Sequence, residues 1–146
     1  ISGAGLREGI ALTTRRLVWI GAPGGQAVRV RPLRLAFSNV CLFRSIAQRG
    51  LDRAAIPWEM AVEGDGQTAI EATVSADLAV HASLEGTEPN DLTTIDASAG
   101  LPSLGEMQIN LYRGDLGAGP AMDDLVDMIA AAYRMGQPPA MQVVSA

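Results

Sequence analysis

Hydrophobic and polar positions along the chain follow two repeating patterns, which together predict short strands that alternate with helices. In residues 31–37, outward arginines alternate with inward leucines and Phe37, the period of two that is typical of a β-strand. Within residues 16–22, the apolar run that begins at Leu17 stops at a Pro-Gly-Gly sequence, which indicates a buried strand that leads into a turn. By these criteria, strands are predicted over residues 6–11, 16–22, 31–37, 58–62, 77–83, 92–95 and 106–113.

Apolar residues at steps of three and four predict helices over residues 40–54, 67–75 and 120–134. Ser38 or Asn39 is the expected N-cap of the first helix, because short polar side chains accept hydrogen bonds from first-turn amides. The last helix begins at a proline, carries aspartates in its first turns and ends with an arginine and a glycine, as helix termini prefer. Strands and helices in this alternation predict an α/β fold with a parallel sheet, and function is expected at the carboxyl ends of its strands.

Composition narrows the possible functions. The chain has 146 residues, of which 48% are hydrophobic and 18% are charged, so it can bury a core as a folded domain. No apolar run is long enough to span a bilayer, and no signal peptide is recognisable, so a cytoplasmic location without membrane contact is expected. The net charge of −5 and scattered arginines give no basic stripe for DNA binding by these residues. One cysteine and one histidine allow no internal disulfide and make a transition-metal site improbable, and no cofactor is expected.

Three stretches of sequence, taken in order, resemble a known family: "RRLVWIGAP", "RPLRLAFSNVCLFRSIAQRGLDRAAIPWEMAVEGDGQTAIEATVSADLAVHAS" and "GLPSLGEMQINLYRG". Their order and spacing over residues 6–134 resemble the effector-binding domain of LysR-type transcriptional regulators. The resemblance implies a two-lobed, type 2 periplasmic-binding-protein-like α/β domain that senses a small molecule. It further implies DNA binding only through a separate N-terminal helix-turn-helix, and assembly as a homodimer or homotetramer.

On this resemblance the chain is expected to be a C-terminal fragment whose first lobe is partial and whose second lobe is complete. Residues 1–20 would end lobe I, residues 21–107 would form lobe II, residues 108–134 would return to lobe I, and residues 135–146 would form a flexible tail. Asp77 stands where the family commonly has glycine. We expect a positive φ there, which aspartate tolerates better than most residues that have a Cβ.

In such domains the resemblance implies a ligand, often a carboxylate, between the lobes. Helices that start near residues 39–40 and 66–67, beside the carboxyl ends of parallel strands, would point unpaired N–H groups and positive dipole ends at that ligand. We therefore expect a small anionic or polar metabolite as the effector. The predicted ligand-binding residues are Ser38, Asn39, Val40, Cys41, Gly66, Gln67 and His81.

Simpler interpretations of these residues stay open. Ser38 and Asn39 could act only as helix caps, and His81, predicted near the end of the third short strand, could be a packed strand residue. Cys41 is predicted to be a spectator whose backbone N–H helps to line the pocket; a redox sensor and a nucleophile paired with His81 are the alternatives. No catalytic residue is predicted. The competing functions are a solute-binding protein of a transport system and a small Cys/His enzyme.

Overall fold

The computed structural model describes residues 9–112 and 119–134. These residues fall into two compact units, one of residues 16–107 and the other of residues 9–15, 108–112 and 119–134. The strands are β1 (Ile10–Gly21), β2 (Leu33–Ser38), β3 (Trp58–Gly64), β4 (His81–Leu84), β5 (Thr93–Thr94) and β6 (Glu106–Leu111). The helices are α1 (Leu42–Arg53), α2 (Gln67–Ser75) and α3 (Pro120–Arg134), and two 3₁₀ turns cover Ala27–Arg29 and Ala97–Ala99.

Most of the predicted elements are confirmed, with changed boundaries. β1 is one long strand where two were expected, and the predicted residues 6–8 lie outside the described part of the chain, as does the tail 135–146. The predicted helix 67–75 agrees with α2 at both ends, and the predicted helix 120–134 agrees with α3. The assignment of segments to lobes I and II stays a prediction.

The parallel part of the fold consists of β2, β3 and Val80, which bridges Leu35 of β2 just before β4 begins. β2 and β3 run parallel, in a register from Leu33 opposite Trp58 to Ser38 opposite Gly64. On the other edge of β2, the Val80 N–H donates to the carbonyl of Arg34 and the Ala36 N–H donates to the carbonyl of Val80. α1 connects β2 to its parallel neighbour β3, and α2 connects β3 to Val80, which bridges the other edge of β2 in parallel.

The expectation of a wholly parallel sheet is wrong beyond this point. β4 pairs antiparallel with β1, with His81 opposite Ile20, and β5 pairs antiparallel with the end of β1; β6 also pairs with β1. Val80 is the last residue that pairs with β2, and from His81 onwards the chain pairs with β1. His81 is therefore the first residue of β4, whereas it was expected near that strand's end.

The core of the unit 16–107 consists of two apolar clusters that alternate residues of β2 share. Leu35 and Phe37 pack in one cluster with Leu51 of α1, and Ala36 between them packs in the other with Ile70 of α2. All five side chains are fully buried. Each buried leucine, isoleucine or phenylalanine contributes about 1.5–3 kcal/mol from the hydrophobic effect, so this pattern fixes which helix lies on which face.

The turn before β4 contains Asp77, at which a positive φ was expected. Asp77 has a φ of 59°, so the predicted left-handed backbone is confirmed. Its carboxylate accepts a hydrogen bond from the Gln26 N–H at 2.8 Å and another from the Ala27 N–H at 3.0 Å. It thereby holds the start of the 3₁₀ turn at Ala27–Arg29, a role that the sequence did not reveal.

In the second unit, α3 is the principal described element. Pro120 begins it, Asp123 lies in its first turn and Arg134 in its last, and Val126 is buried. Acidic and basic residues at these two ends match the helix dipole, as expected. None of the described helices is long and apolar enough to cross a membrane.

Candidate functional site

The two predicted helix starts lie beside one another, because β2 and β3 are adjacent parallel strands that end level. Ser38 pairs with Gly64 at the last position of the ladder, and the Asn39 N–H donates to the Gly64 carbonyl at 3.3 Å. α1 starts four residues after Ser38 and α2 three residues after Gly64. Residues 38–44 and 63–67 therefore form one surface, which we call the helix-start site.

The N-cap of α1 differs from the prediction. Cys41, in extended conformation, is the N-cap and makes no side-chain cap bond, so neither Ser38 nor Asn39 caps the helix. Two residues separate β2 from Cys41, and they form a turn closed by Ser38: its Oγ accepts the Val40 N–H at 3.3 Å and its carbonyl accepts the Cys41 N–H at 3.2 Å. The amides of these two predicted ligand residues are thus already bonded inside the protein.

The amides that remain available lie one step further along the chain. Within the described residues, no acceptor is bonded to the N–H groups of Leu42 and Phe43 in α1, nor to those of Gln67, Thr68 and Ala69 in α2. First-turn amides of this kind carry the positive end of the helix dipole. The sequence predicted the helix starts and named Val40 and Cys41, but it did not reveal the turn in which Ser38 accepts both of their N–H groups.

The side chains at the helix-start site form a chain of polar contacts. Asn39 is in the middle: its Nδ2 lies 3.5 Å from Asp65 Oδ1, and its Oδ1 accepts a hydrogen bond from Arg44 Nη1 at 3.1 Å. Arg44 Nη2 bonds Glu63 Oε2 at 2.8 Å. Gln67 takes no part in this chain and donates instead to Glu71 at 3.0 Å. Arg44 was not among the predicted site residues, and its position in the first turn of α1 was the only available signal.

His81 is buried beside the end of the parallel ladder, with 8% of its surface exposed. Its Nδ1 lies 2.7 Å from the carbonyl oxygen of Ala36, and its ring packs against that of Phe37 at 4.6 Å between centroids. A carbonyl accepts only, so Nδ1 carries the proton. Burial lowers the pKa of His81, while the bond to Ala36 and the charge of Glu71 act in the opposite direction. The neutral ring therefore has structural contacts with Ala36 and Phe37.

Cys41 is half-buried and packs against the core cluster of α1. In the part of the chain that the structure describes, no three acidic, histidine or cysteine side chains are close enough to hold a metal ion. A groove of about 340 Å³ lies elsewhere in the same unit, between β1 and residues 94–97 and 101–105. None of the predicted ligand residues lines it.

Comparison with protein-family models and with curated proteins gives no match for this chain. Solved structures do match. The effector-binding domain of QuiR, in complex with shikimate, superposes with a TM-score of 0.60 and 14% identity over 94% of this chain and 70% of that one. The regulatory domain of CcmR from Synechocystis PCC6803, in complex with 2-PG, gives 0.58 and 14% over 92% and 72%. This chain has the type 2 periplasmic-binding-protein-like fold.

The same fold relates the chain to transport proteins. The probable amino-acid ABC transporter extracellular-binding protein ytmK from Bacillus subtilis superposes with a TM-score of 0.54 and 12% identity, over 89% of this chain and 60% of that one. Type 2 domains thus serve both regulators and transporters, and the fold alone does not decide between them.

Proposed function

We propose that the chain is the effector-sensing domain of a LysR-type transcriptional regulator, and that it binds a small anionic or polar metabolite at the helix-start site. The observation that carries the proposal is the convergence of two helix starts, with five first-turn amides that have no acceptor among the described residues. Such amides favour a carboxylate or a similar anion without a buried lysine. The resemblance of the sequence to this family supports the same conclusion.

The structural neighbours also favour regulation. The QuiR neighbour is an effector-binding domain in complex with shikimate, and the CcmR neighbour is a regulatory domain in complex with 2-PG. A third neighbour, the BenM effector-binding domain with its effector benzoate, superposes with a TM-score of 0.54 and 12% identity over 95% of this chain and 70% of that one. We extend from them only the class of ligand, a small anion, and the role of the domain as a sensor. The proposed ligand-binding residues are Ser38, Asn39, Val40, Cys41, Gly66, Gln67 and His81, supplemented by the amides of Leu42 and Phe43.

In this function the domain binds without chemical turnover. Nδ1 of His81 is bonded to a backbone carbonyl, so this nitrogen cannot serve as the base for the Cys41 thiol. Cys41 is then a spectator. The regulator would act in the cytoplasm as a homodimer or homotetramer and contact DNA through its helix-turn-helix. Effector binding shifts such a protein only by its differential affinity for two arrangements, typically about 1–3 kcal/mol.

Proline substitutions test the amides directly. Proline lacks the N–H but suits the first position of a helix, and the N-caps Cys41 and Gly66 already have the extended backbone that precedes proline. Leu42→Pro and Gln67→Pro therefore each remove one donor without breaking the helix. Leu42→Ala and Gln67→Ala are the matched controls, because they change the side chain and keep the N–H.

Benzoate and shikimate serve as probes in a titration followed by ¹⁵N NMR and by thermal unfolding. A probe at 100 times its Kd stabilises the native state by about 2.7 kcal/mol, which raises the Tm by roughly 10 °C. We expect each proline variant to raise the Kd about tenfold, the loss typical of a hydrogen bond to a charged group, while the alanine controls change it less than threefold. Amide shifts confined to the groove at residues 94–105, or equal effects of proline and alanine, would contradict the proposed site.

A solute-binding protein of a transport system is the second candidate, and the structural neighbour ytmK favours it. The two functions differ in what the complete coding sequence specifies. A helix-turn-helix upstream of this chain supports the regulator, whereas an export signal supports the transport protein. A Cys/His enzyme differs from both, because alkylation of Cys41 would then abolish a turnover.

A further inference from the structure

The helix-start site carries more negative than positive charge. Its charged residues are one cation, Arg44, and two acids, Glu63 and Asp65. Both acids lie within the polar chain that joins the two helix starts, and Glu63 is 53% exposed. An anion that approaches the free amides of α1 and α2 therefore meets two carboxylates. Without Arg44, the amides alone would have to offset the repulsion between the anion and these carboxylates.

Arg44 has the position and the free donors to do so. Its side chain is only 25% exposed and is held at two points, by Asn39 Oδ1 and by Glu63 Oε2. A guanidinium has five N–H donors, so three remain without an acceptor among the described residues. The fork is thus held between Asn39 and Glu63 of the helix-start site, and its residue shares the first turn of α1 with the free amides of Leu42 and Phe43.

We propose that Arg44 recognises the anionic group of the effector, and that the carboxylate of Glu63 orients Arg44 before the effector binds and competes with the effector for it. This inference rests on the proposed function and adds a specificity residue to that same site. A planar fork favours a carboxylate, which accepts two parallel bonds, over a neutral polar ligand. The class of effector is accordingly a carboxylate.

Competition makes a prediction that a purely structural ion pair does not. Removal of either partner breaks the same pair, so a structural role predicts that both changes weaken ligand binding. Under competition the two changes have opposite effects. Glu63→Gln keeps an oxygen that accepts the Arg44 hydrogen bond, and it removes only the competing charge.

The experiment measures the Kd of benzoate for the full chain by ¹⁵N NMR titration, in wild type and variants. We expect Arg44→Gln to raise the Kd about tenfold or more, Arg44→Lys to raise it less, and Glu63→Gln to lower it about two- to fivefold. Arg49→Gln and Glu59→Gln are matched controls. They remove the same charges from α1 and β3, but Arg49 bonds the Ser45 carbonyl and Glu59 faces Arg34.

The outcomes separate this inference from the proposed function. If wild type binds benzoate at residues 38–44 and 63–69 but Arg44→Gln leaves the Kd unchanged, or Glu63→Gln raises it, the role of Arg44 is refuted and the site stands. If neither wild type nor Glu63→Gln shows amide shifts there with benzoate, both proposals fail. Control variants that match the effects of Arg44→Gln and Glu63→Gln refute local recognition, because general charge would then explain the result.

Discussion

Replacement of Asp77 tests how a residue with an unfavourable backbone angle is retained. Its carboxylate accepts two hydrogen bonds, from the N–H groups of Gln26 and Ala27, and Ala27 is 6% exposed. Bonds that involve a charged group stabilise a protein by about 1.5–3 kcal/mol each when buried, and we take the lower end because Asp77 is half-exposed. Against this, a non-glycine residue in the left-handed region costs about 1 kcal/mol.

These two terms predict an order for three variants. Asp77→Gly loses the bonds but removes the backbone cost, so we expect a loss of about 1–2 kcal/mol in the free energy of unfolding. Asp77→Ala loses the bonds and keeps the backbone cost, so we expect about 2–4 kcal/mol. Asp77→Asn tolerates the same backbone and keeps one acceptor oxygen, so its loss is the smallest, about 1 kcal/mol.

Urea denaturation followed by far-UV circular dichroism measures these differences, provided that the m-value stays constant. The difference between the alanine and glycine variants isolates the backbone cost, since neither has an acceptor. Residue 25 allows a second test of the same carboxylate, because a Cβ in place of the Gly25 hydrogen would collide with the carboxylate of Asp77. If Asp77→Ala is as stable as wild type, the two hydrogen bonds contribute nothing and cannot be the reason that aspartate is tolerated at this position.

Two further predictions concern the core and its buried histidine. Leu51→Ala, at a fully buried position of α1, should cost about 2–5 kcal/mol in urea denaturation, while Leu42→Ala at a 76% exposed position of the same helix should cost less than about 1 kcal/mol. Since burial lowers the pKa of His81, the unfolded chain takes up this proton first as the pH falls below about 6.5. Wild type should therefore lose stability relative to His81→Phe between pH 7 and pH 5, and a constant difference between the two over that range would contradict the burial effect.

Local sequence signals predicted the elements whose ends are marked by turn residues or proline. α2 lies between the turn residues before Gln67 and the left-handed Asp77, and α3 begins at Pro120, so both were bounded by residues whose backbone preferences are intrinsic. The direction of β4 could not be read in this way. A strand of four residues has the same alternation whether its neighbour is parallel or antiparallel, and the choice of β1 as partner depends on residues about sixty positions away.

The candidate site shows the same division between local and distant causes. Its place at the ends of β2 and β3 followed from the alternation of strands and helices, which is a local pattern. The contacts that its side chains make did not follow from that local pattern. Arg44 contacts Glu63, nineteen residues away, and such a contact exists only because the parallel ladder brings the end of β3 beside α1. Which amides stay free is equally hard to predict. A nearby hydroxyl can accept a hydrogen bond from one of them, as Ser38 Oγ does from the Val40 N–H.

The net charge of −5 opposes the binding of an anion, but distance limits its effect. At physiological ionic strength charges are screened over about 8 Å. Asp91 accepts a hydrogen bond from Ser75 at the end of α2, about 12 Å from the start of that helix at the rise of 1.5 Å per residue. We therefore expect Asp91→Asn to change the Kd of benzoate by less than about twofold, although it changes the net charge as much as Glu63→Gln does. Equal effects of these two substitutions in the same titration would mean that the overall field, and not the contact with Arg44, sets the affinity for the anion.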